Sequence, residues 1–151
     1  MCGIVGGIDV ENTDLVSRVI EAKRLLHHRG PDGEGIEQFH KDNKHIVLAH
    51  SRLSIIDLSD LGRQPMTTND GKYWITFNGE FYNYKELRKE LEALNYVFLS
   101  DSDTEVLLNC WREWGENCIT RITGMFAFVI YDIHHETLTC VRDAFGIKPF
   151  Y

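Results

Sequence analysis

No stretch of this 151-residue chain reaches the roughly 18 to 20 apolar residues of a membrane-spanning helix, and its N-terminus lacks the basic-then-apolar layout of a secretory signal. The sequence therefore reads as cytoplasmic. Basic residues never gather beyond scattered pairs, and 16 Lys and Arg against 23 Asp and Glu leave a formal net charge of −7. Nucleic acid and anionic bilayers call for a positive surface, so neither is an expected partner and a small molecule is. The four cysteines, at 2, 110, 118 and 140, contain no CxxC pair. That removes thioredoxin-like exchange and leaves them as free thiols. The pairs His27-His28 and His134-His135 offer no ligand set, because adjacent side chains point about 100° apart on a helix and to opposite faces of a strand. No metal is expected. The glycine-rich RGPDGEG segment, 29 to 35, does not make GxGxxG and no Lys-Ser/Thr follows it, so it is read as a substrate-side loop rather than a phosphate cradle. Repeats, linkers and low-complexity tracts are missing too, and the length suits one domain with its own core.

What is present has a clear order. Residues 2 to 9 are β-like, and 14 to 26 place Leu15, Val19, Ala22 and Leu26 at helical spacing, with Asp14 positioned to start the helix. Strands are expected at 35 to 39, 45 to 50 and 73 to 78, and the polar stretch 57 to 72 is read as a loop over a sheet edge. An amphipathic helix follows, with Leu87, Leu91 and Leu94 on one face. A second helix opens at SDTE, where Ser102 and Glu105 fit a capping box. MFAFVIYD and TLTCVRD flank the turn IHHE as a hairpin. The first of these strands is apolar on both faces, so a layer must cover each side: two packed sheets with helices outside would do so.

Chemistry is concentrated at the start. Removal of Met1 would leave Cys2 carrying both a thiol, with an unperturbed pKa of about 8.5, and an α-amine of about 7.7 to 8.0 that can take its proton. One residue then supplies nucleophile and base; the alternative is a small apolar residue in packing. Asn78-Gly79 is a common hairpin dipeptide, but here it closes a strand pattern and runs straight into a helix pattern. Arg52 offers the two parallel donors that suit a carboxylate. Asp103 falls in a first helical turn, where acids are favoured whatever their function.

Six segments, CGIVGG, RGPDGEG, HSRLSIIDLSDLGRQPM, FNGEFYNYKELRKEL, SDSDTEVLL and RDAFGIKPFY, together resemble the glutaminase domain of glutamine-hydrolysing asparagine synthetases, the class II amidotransferases. The resemblance spans residues 1–151 as one glutaminase domain and implies an α+β, four-layer αββα N-terminal-nucleophile hydrolase sandwich of two mainly antiparallel sheets, incomplete at its C-terminus. It implies that Cys2 attacks the side-chain amide of L-glutamine through a γ-glutamyl thioester, that Asn78 and Gly79 form the oxyanion hole, and that Arg52 and Asp103 bind the α-carboxylate and α-ammonium. Glu80 and the backbone of Arg52, Leu53, Ser54, Ile55 and Ile56 would line the substrate pocket. Arg142, Asp143 and Lys148 match a run read as structural. No cofactor is implied here; ATP and Mg would belong to a synthetase domain in cis or trans that amidates aspartate, and a homodimer is one assembly it allows. Two alternatives stay open: the glutaminase part of a polysaccharide or sugar amidotransferase, and a noncatalytic partner-binding domain of the same fold.

Overall fold

Seven of the nine residues of the strand Lys44–Arg52 are buried, so both faces of this strand are covered. In the computed structural model, which describes residues 1–10 and 14–151, it is the centre of a three-stranded antiparallel sheet. The elements run β1 (Gly3–Asp9), α1 (Leu15–Leu25), β2 (Gly33–Lys41), β3 (Lys44–Arg52), β4 (Met66–Thr67), β5 (Tyr73–Phe81), α2 (Tyr84–Ala93), α3 (Asp103–Trp114), β6 (Gly124–Asp132) and β7 (Thr137–Arg142). The first sheet has the order β1-β3-β2 and the second β4-β5-β6-β7. All pairs are antiparallel.

Strand alternation sorts the core into layers. Val47 and Ala49 of β3 pack with Leu15 and Val19 of α1. Ile46 and Leu48 turn the other way and meet Trp74, Val129, Tyr131 and Leu138 of the second sheet. On the far side of that sheet, Ile75, Phe77, Phe126, Phe128 and Ile130 form one cluster with Leu87 and Leu91 of α2 and Val106, Leu107 and Leu108 of α3. The order helix, sheet, sheet, helices is the αββα sandwich, and β6 is the strand whose two apolar faces demanded it.

Several expectations change in detail. β5 runs on to Phe81, because Gly79, Glu80 and Phe81 keep their partners Phe126, Met125 and Gly124 on β6; Asn78-Gly79 therefore lies inside a strand. β2 extends over 33 to 41 through its pairing with β3. The stretch 57 to 72 holds a 3-10 turn and the two-residue β4, which pairs with Ile75 and Trp74. Leu94 is 49 % exposed at the end of α2, so Leu87 and Leu91, with the partly buried Tyr84, anchor that helix. Asp14 caps α1 without a side-chain bond. Ser102 accepts the Thr104 N–H, but Glu105 does not return the bond: its carboxylate takes the N–H groups of Leu99 and Ser100 and the Ser100 hydroxyl. The glutamate thus braces the turn before α3 instead of closing a box.

Candidate active site

Cys2 immediately precedes β1, whose register sets Gly3 opposite Ser51 and Ile4 opposite His50. This brings Cys2 to the end of β3. There the Leu53 N–H donates to Cys2 Sγ at 3.4 Å, and the thiol lies 3.7 Å from the Leu53 carbonyl oxygen. Arg29 Nε holds the Cys2 carbonyl oxygen at 3.1 Å. Burial pushes the Cys2 thiol pKa up; the Leu53 N–H, the N-terminal ammonium and Arg52 pull against that rise, and Asp103 adds to it. Met1 is in place, so the Cys2 nitrogen is an amide, and Lys148 Nζ donates to Met1 Sδ at 3.0 Å.

Asn78 and Gly79 approach from the other sheet. Ile75 and Phe77 face the helices while Trp74 faces the first sheet, so the alternation turns Asn78, like Trp74, toward the space between the sheets. Gly79 is required by close approach: a Cβ there would lie 2.4 Å from the Met125 carbonyl oxygen and 2.8 Å from Phe126 Cα.

Asp103 opens α3 and reaches across to β5, where its Oδ2 accepts the Phe81 N–H at 3.2 Å. It is 6 % exposed. Burial raises its pKa to about 6, with Glu80 adding to the rise and the N–H groups of Phe81, Thr104 and Asp103 itself opposing it. Arg52 Nη1 donates to the Ser59 carbonyl at 2.7 Å and Nη2 to the Asp57 carbonyl. Two of the five guanidinium N–H donors thus hold the loop after β3, leaving three for another partner. Asp57 braces the same loop by accepting the Ser59 N–H and hydroxyl and the Asp101 N–H. These bonds, the Ser59 hydroxyl foremost, keep its carboxyl below the usual range.

These groups converge on one cavity of about 490 Å³, within the roughly 300 to 1,000 Å³ of small-molecule sites. Its lining includes Cys2, Arg52, Leu53, Ser54, Ile55, Ile56, Asn78, Gly79, Glu80 and Asp103. A family model described as "Glutamine amidotransferase domain" matches residues 1–151. The chain belongs to the glutamine amidotransferase domain family. It is 44 % identical to asparagine synthetase [glutamine-hydrolyzing] 1 of Bacillus subtilis, with all of this chain and 24 % of that protein aligned. Against asparagine synthetase [glutamine-hydrolyzing] 2 of rice, Oryza sativa subsp. japonica, identity is 40 % over all of this chain and 25 % of the relative. The chain thus spans about a quarter of the length of these relatives. Among solved structures, the glutamine phosphoribosylpyrophosphate amidotransferase of Bacillus subtilis superposes with a TM-score of 0.74 at 20 % identity, covering 97 % of this chain and 38 % of that one. That likeness is one of fold.

This cavity also contains residues that sequence reasoning passed over. Gln64 and Phe77 line it, and so does Lys148, whose run was read as structural. The backbone of that run is indeed self-braced, since Asp143 takes four backbone N–H groups and Arg142 holds the carbonyls of Gly146 and Lys148. The Lys148 side chain departs from it into the site. Conversely, residues 29 to 35 do not line this cavity. Asp32 accepts the Ser54 N–H at 2.9 Å and its own N–H donates to the Arg52 carbonyl, so the loop supports the 52–54 backbone from outside. Gln64 carried no local signal. A histidine inside the apolar run of β3, His50, did carry one.

Proposed function

We propose that this domain hydrolyses the side-chain amide of L-glutamine and passes the ammonia to an ATP-dependent asparagine synthetase portion of a longer protein. The observation that carries the reading is the meeting of Cys2 from one sheet with Asn78 and Gly79 from the other in a cavity that also holds Arg52 and Asp103. Nucleophile, oxyanion donors and two opposite charges are the parts needed to cleave the amide of a free amino acid.

Once Met1 is removed, the Cys2 α-amine takes the thiol proton as Sγ attacks the amide carbon. The carbonyl π electrons move onto oxygen, where the Asn78 side-chain amide and the Gly79 N–H stabilise the charge. The C–N bond then breaks, and the amine gives its proton to the departing nitrogen, which leaves as ammonia. Water attacks the γ-glutamyl thioester through a second oxyanion, releasing glutamate and restoring the thiol. Arg52, through the donors its loop leaves free, binds the substrate carboxylate, and Asp103 binds the ammonium. Glu80 and the 52–56 backbone complete the pocket wall.

We assign residues 1–151 to one cytoplasmic glutaminase domain, with ATP and Mg belonging to the synthetase portion, in cis or trans; a homodimer is one assembly this allows. No helix among the described residues is long and apolar enough to cross a membrane. The test is intact mass before and after 6-diazo-5-oxo-L-norleucine on protein with Met1 removed. A single adduct mapped to Cys2, blocked by glutamine, is the expected result; a processed Cys2 that stays unlabelled overturns the proposal.

A further inference from the structure

The edge of β5 beside β4 is left open just where the site begins. β4 pairs with β5 only at Met66–Ile75 and Thr67–Trp74, so among the described residues no strand reaches the polar groups of Phe77 on that side. Each residue of an antiparallel strand points its N–H and C=O to the same edge, and both groups of Phe77, which is 3 % exposed, are instead taken by side chains. Gln64 Oε1 accepts the Phe77 N–H at 2.6 Å. His50 Nε2 lies 3.1 Å from the Phe77 carbonyl oxygen. A carbonyl can only accept, so Nε2 carries the imidazole proton. Among the described residues His50 Nδ1 is buried without a partner, which leaves the bond to Phe77 as the ring's polar anchor.

The Phe77 carbonyl and the Asn78 N–H belong to one peptide plane. Fixing that oxygen fixes the plane from which the Asn78 side chain and the following Gly79 N–H are aimed. Gln64 ties the same point to the substrate-binding side, because its Nε2 donates to Thr104 Oγ1 at 3.1 Å, one residue beyond Asp103. Resting on the amidotransferase reading above, we propose that His50 and Gln64 are positioning residues: they clamp the Phe77 backbone and so hold the oxyanion donors at the distance the transition state requires. Neither touches the reacting atoms. Their contribution is to keep a strand edge, which has no neighbouring strand here, from drifting; a misplacement of about 1 Å in a catalytic group can cost about 10²-fold in rate.

The experiment compares glutamate release by wild type, His50→Leu, His50→Gln and Gln64→Met, each with Met1 removed and each checked for folding by circular dichroism and melting. Leucine and methionine remove the hydrogen bonds at similar volume, whereas glutamine at 50 restores an N–H near the position of Nε2. Expected are kcat losses of about 10-fold or more for His50→Leu and Gln64→Met with KM for glutamine changed less than about twofold, and substantial recovery in His50→Gln. If His50→Leu does not fold, Gln64→Met against wild type decides the matter. Unchanged kcat in the folded variants, or equal damage to kcat and KM that His50→Gln does not repair, overturns the positioning role. A processed wild type that neither releases glutamate nor takes label at Cys2 overturns the underlying reading instead, and is recognised before any variant is compared.

Discussion

The backbone N–H of Leu53 points at Cys2 Sγ from 3.4 Å, so the residue after Arg52 stabilises a thiolate in a place where burial resists one. Burial is the larger influence, and the thiol pKa is raised. Cys2 is therefore a thiol at rest and needs a base. With Met1 in place, alkylation of Cys2 by iodoacetamide should be slow at neutral pH and accelerate only in alkaline solution; after Met1 removal, 6-diazo-5-oxo-L-norleucine should label it near neutrality. Cys2→Ala should abolish glutamine hydrolysis while leaving the melting temperature little changed, and full turnover by that variant would rule out the thioester route.

Asn78→Ala removes one of the two proposed oxyanion donors. A loss of about 10²- to 10³-fold in kcat is expected with little change in KM, read from initial rates of glutamate release. An unaltered kcat would return Asn78 to a strand residue and nothing more.

The proposed ammonium contact requires Asp103 to be ionised, and burial has lifted its pKa to about 6. In free enzyme, KM for glutamine should rise as pH falls through that value, and Asp103→Asn should raise KM across the whole range and remove the inflection. Stability should move the other way. Because the folded state holds this proton more tightly than the unfolded chain, the Asp103 contribution to unfolding free energy increases as pH falls from 7 toward 4. Denaturant titration of wild type and Asp103→Asn at several pH values reads the difference.

Arg52 holds the loop carbonyls of Ser59 and Asp57 and is proposed to bind the substrate carboxylate as well, and substitutions should separate the two. Arg52→Ala is expected to raise KM for glutamine and also to free the 57–62 loop, seen as faster proteolysis after Arg63. Arg52→Lys keeps the charge but cannot donate to the Ser59 and Asp57 carbonyls and a carboxylate in one planar fork, so both defects should persist in part. A loop that stays resistant in Arg52→Ala would show that Asp57 alone secures it.

Gly79→Ala introduces a methyl group 2.4 Å from the Met125 carbonyl oxygen. Strands β5 and β6 must part to admit it, so both melting temperature and kcat should fall. For comparison, Leu91→Ala, at a fully buried position on α2 outside the cavity lining, should cost about 2 to 5 kcal/mol of stability without a specific effect on kcat per folded molecule.

The layers were legible because they follow from patterning: an all-apolar β6 cannot face water on either side, and α1 and α2 display their apolar stripes openly. Ten site residues were named because their segments resemble a known family, and all ten line one cavity. The departures come from interactions with no local signature. Glu105 sits at the correct spacing for a capping box, yet Leu99 and Ser100 compete for it and win. Asn78-Gly79 has turn chemistry, but continued pairing with Ala127 and Phe126 keeps it extended. Gln64 and His50 reach partners 13 and 27 positions away, a relation that periodicity cannot express. The two duties of Arg52 are of the same kind, since its charge is visible in a sequence and the carbonyls it meets are not.

The brevity of β4 has a consequence for motion. A hydrogen bond between strands usually breaks together with its neighbours, in an opening that involves a whole segment. A bond from a side chain to a strand breaks by rotation about one or two χ angles of that side chain, without parting the neighbouring backbone bonds. At Phe77 the sheet has exchanged the first kind of bond for the second. The backbone leading into Asn78 can thus be released and recaptured by rotamer changes at two residues, while β5 stays in register with β6 along its full length.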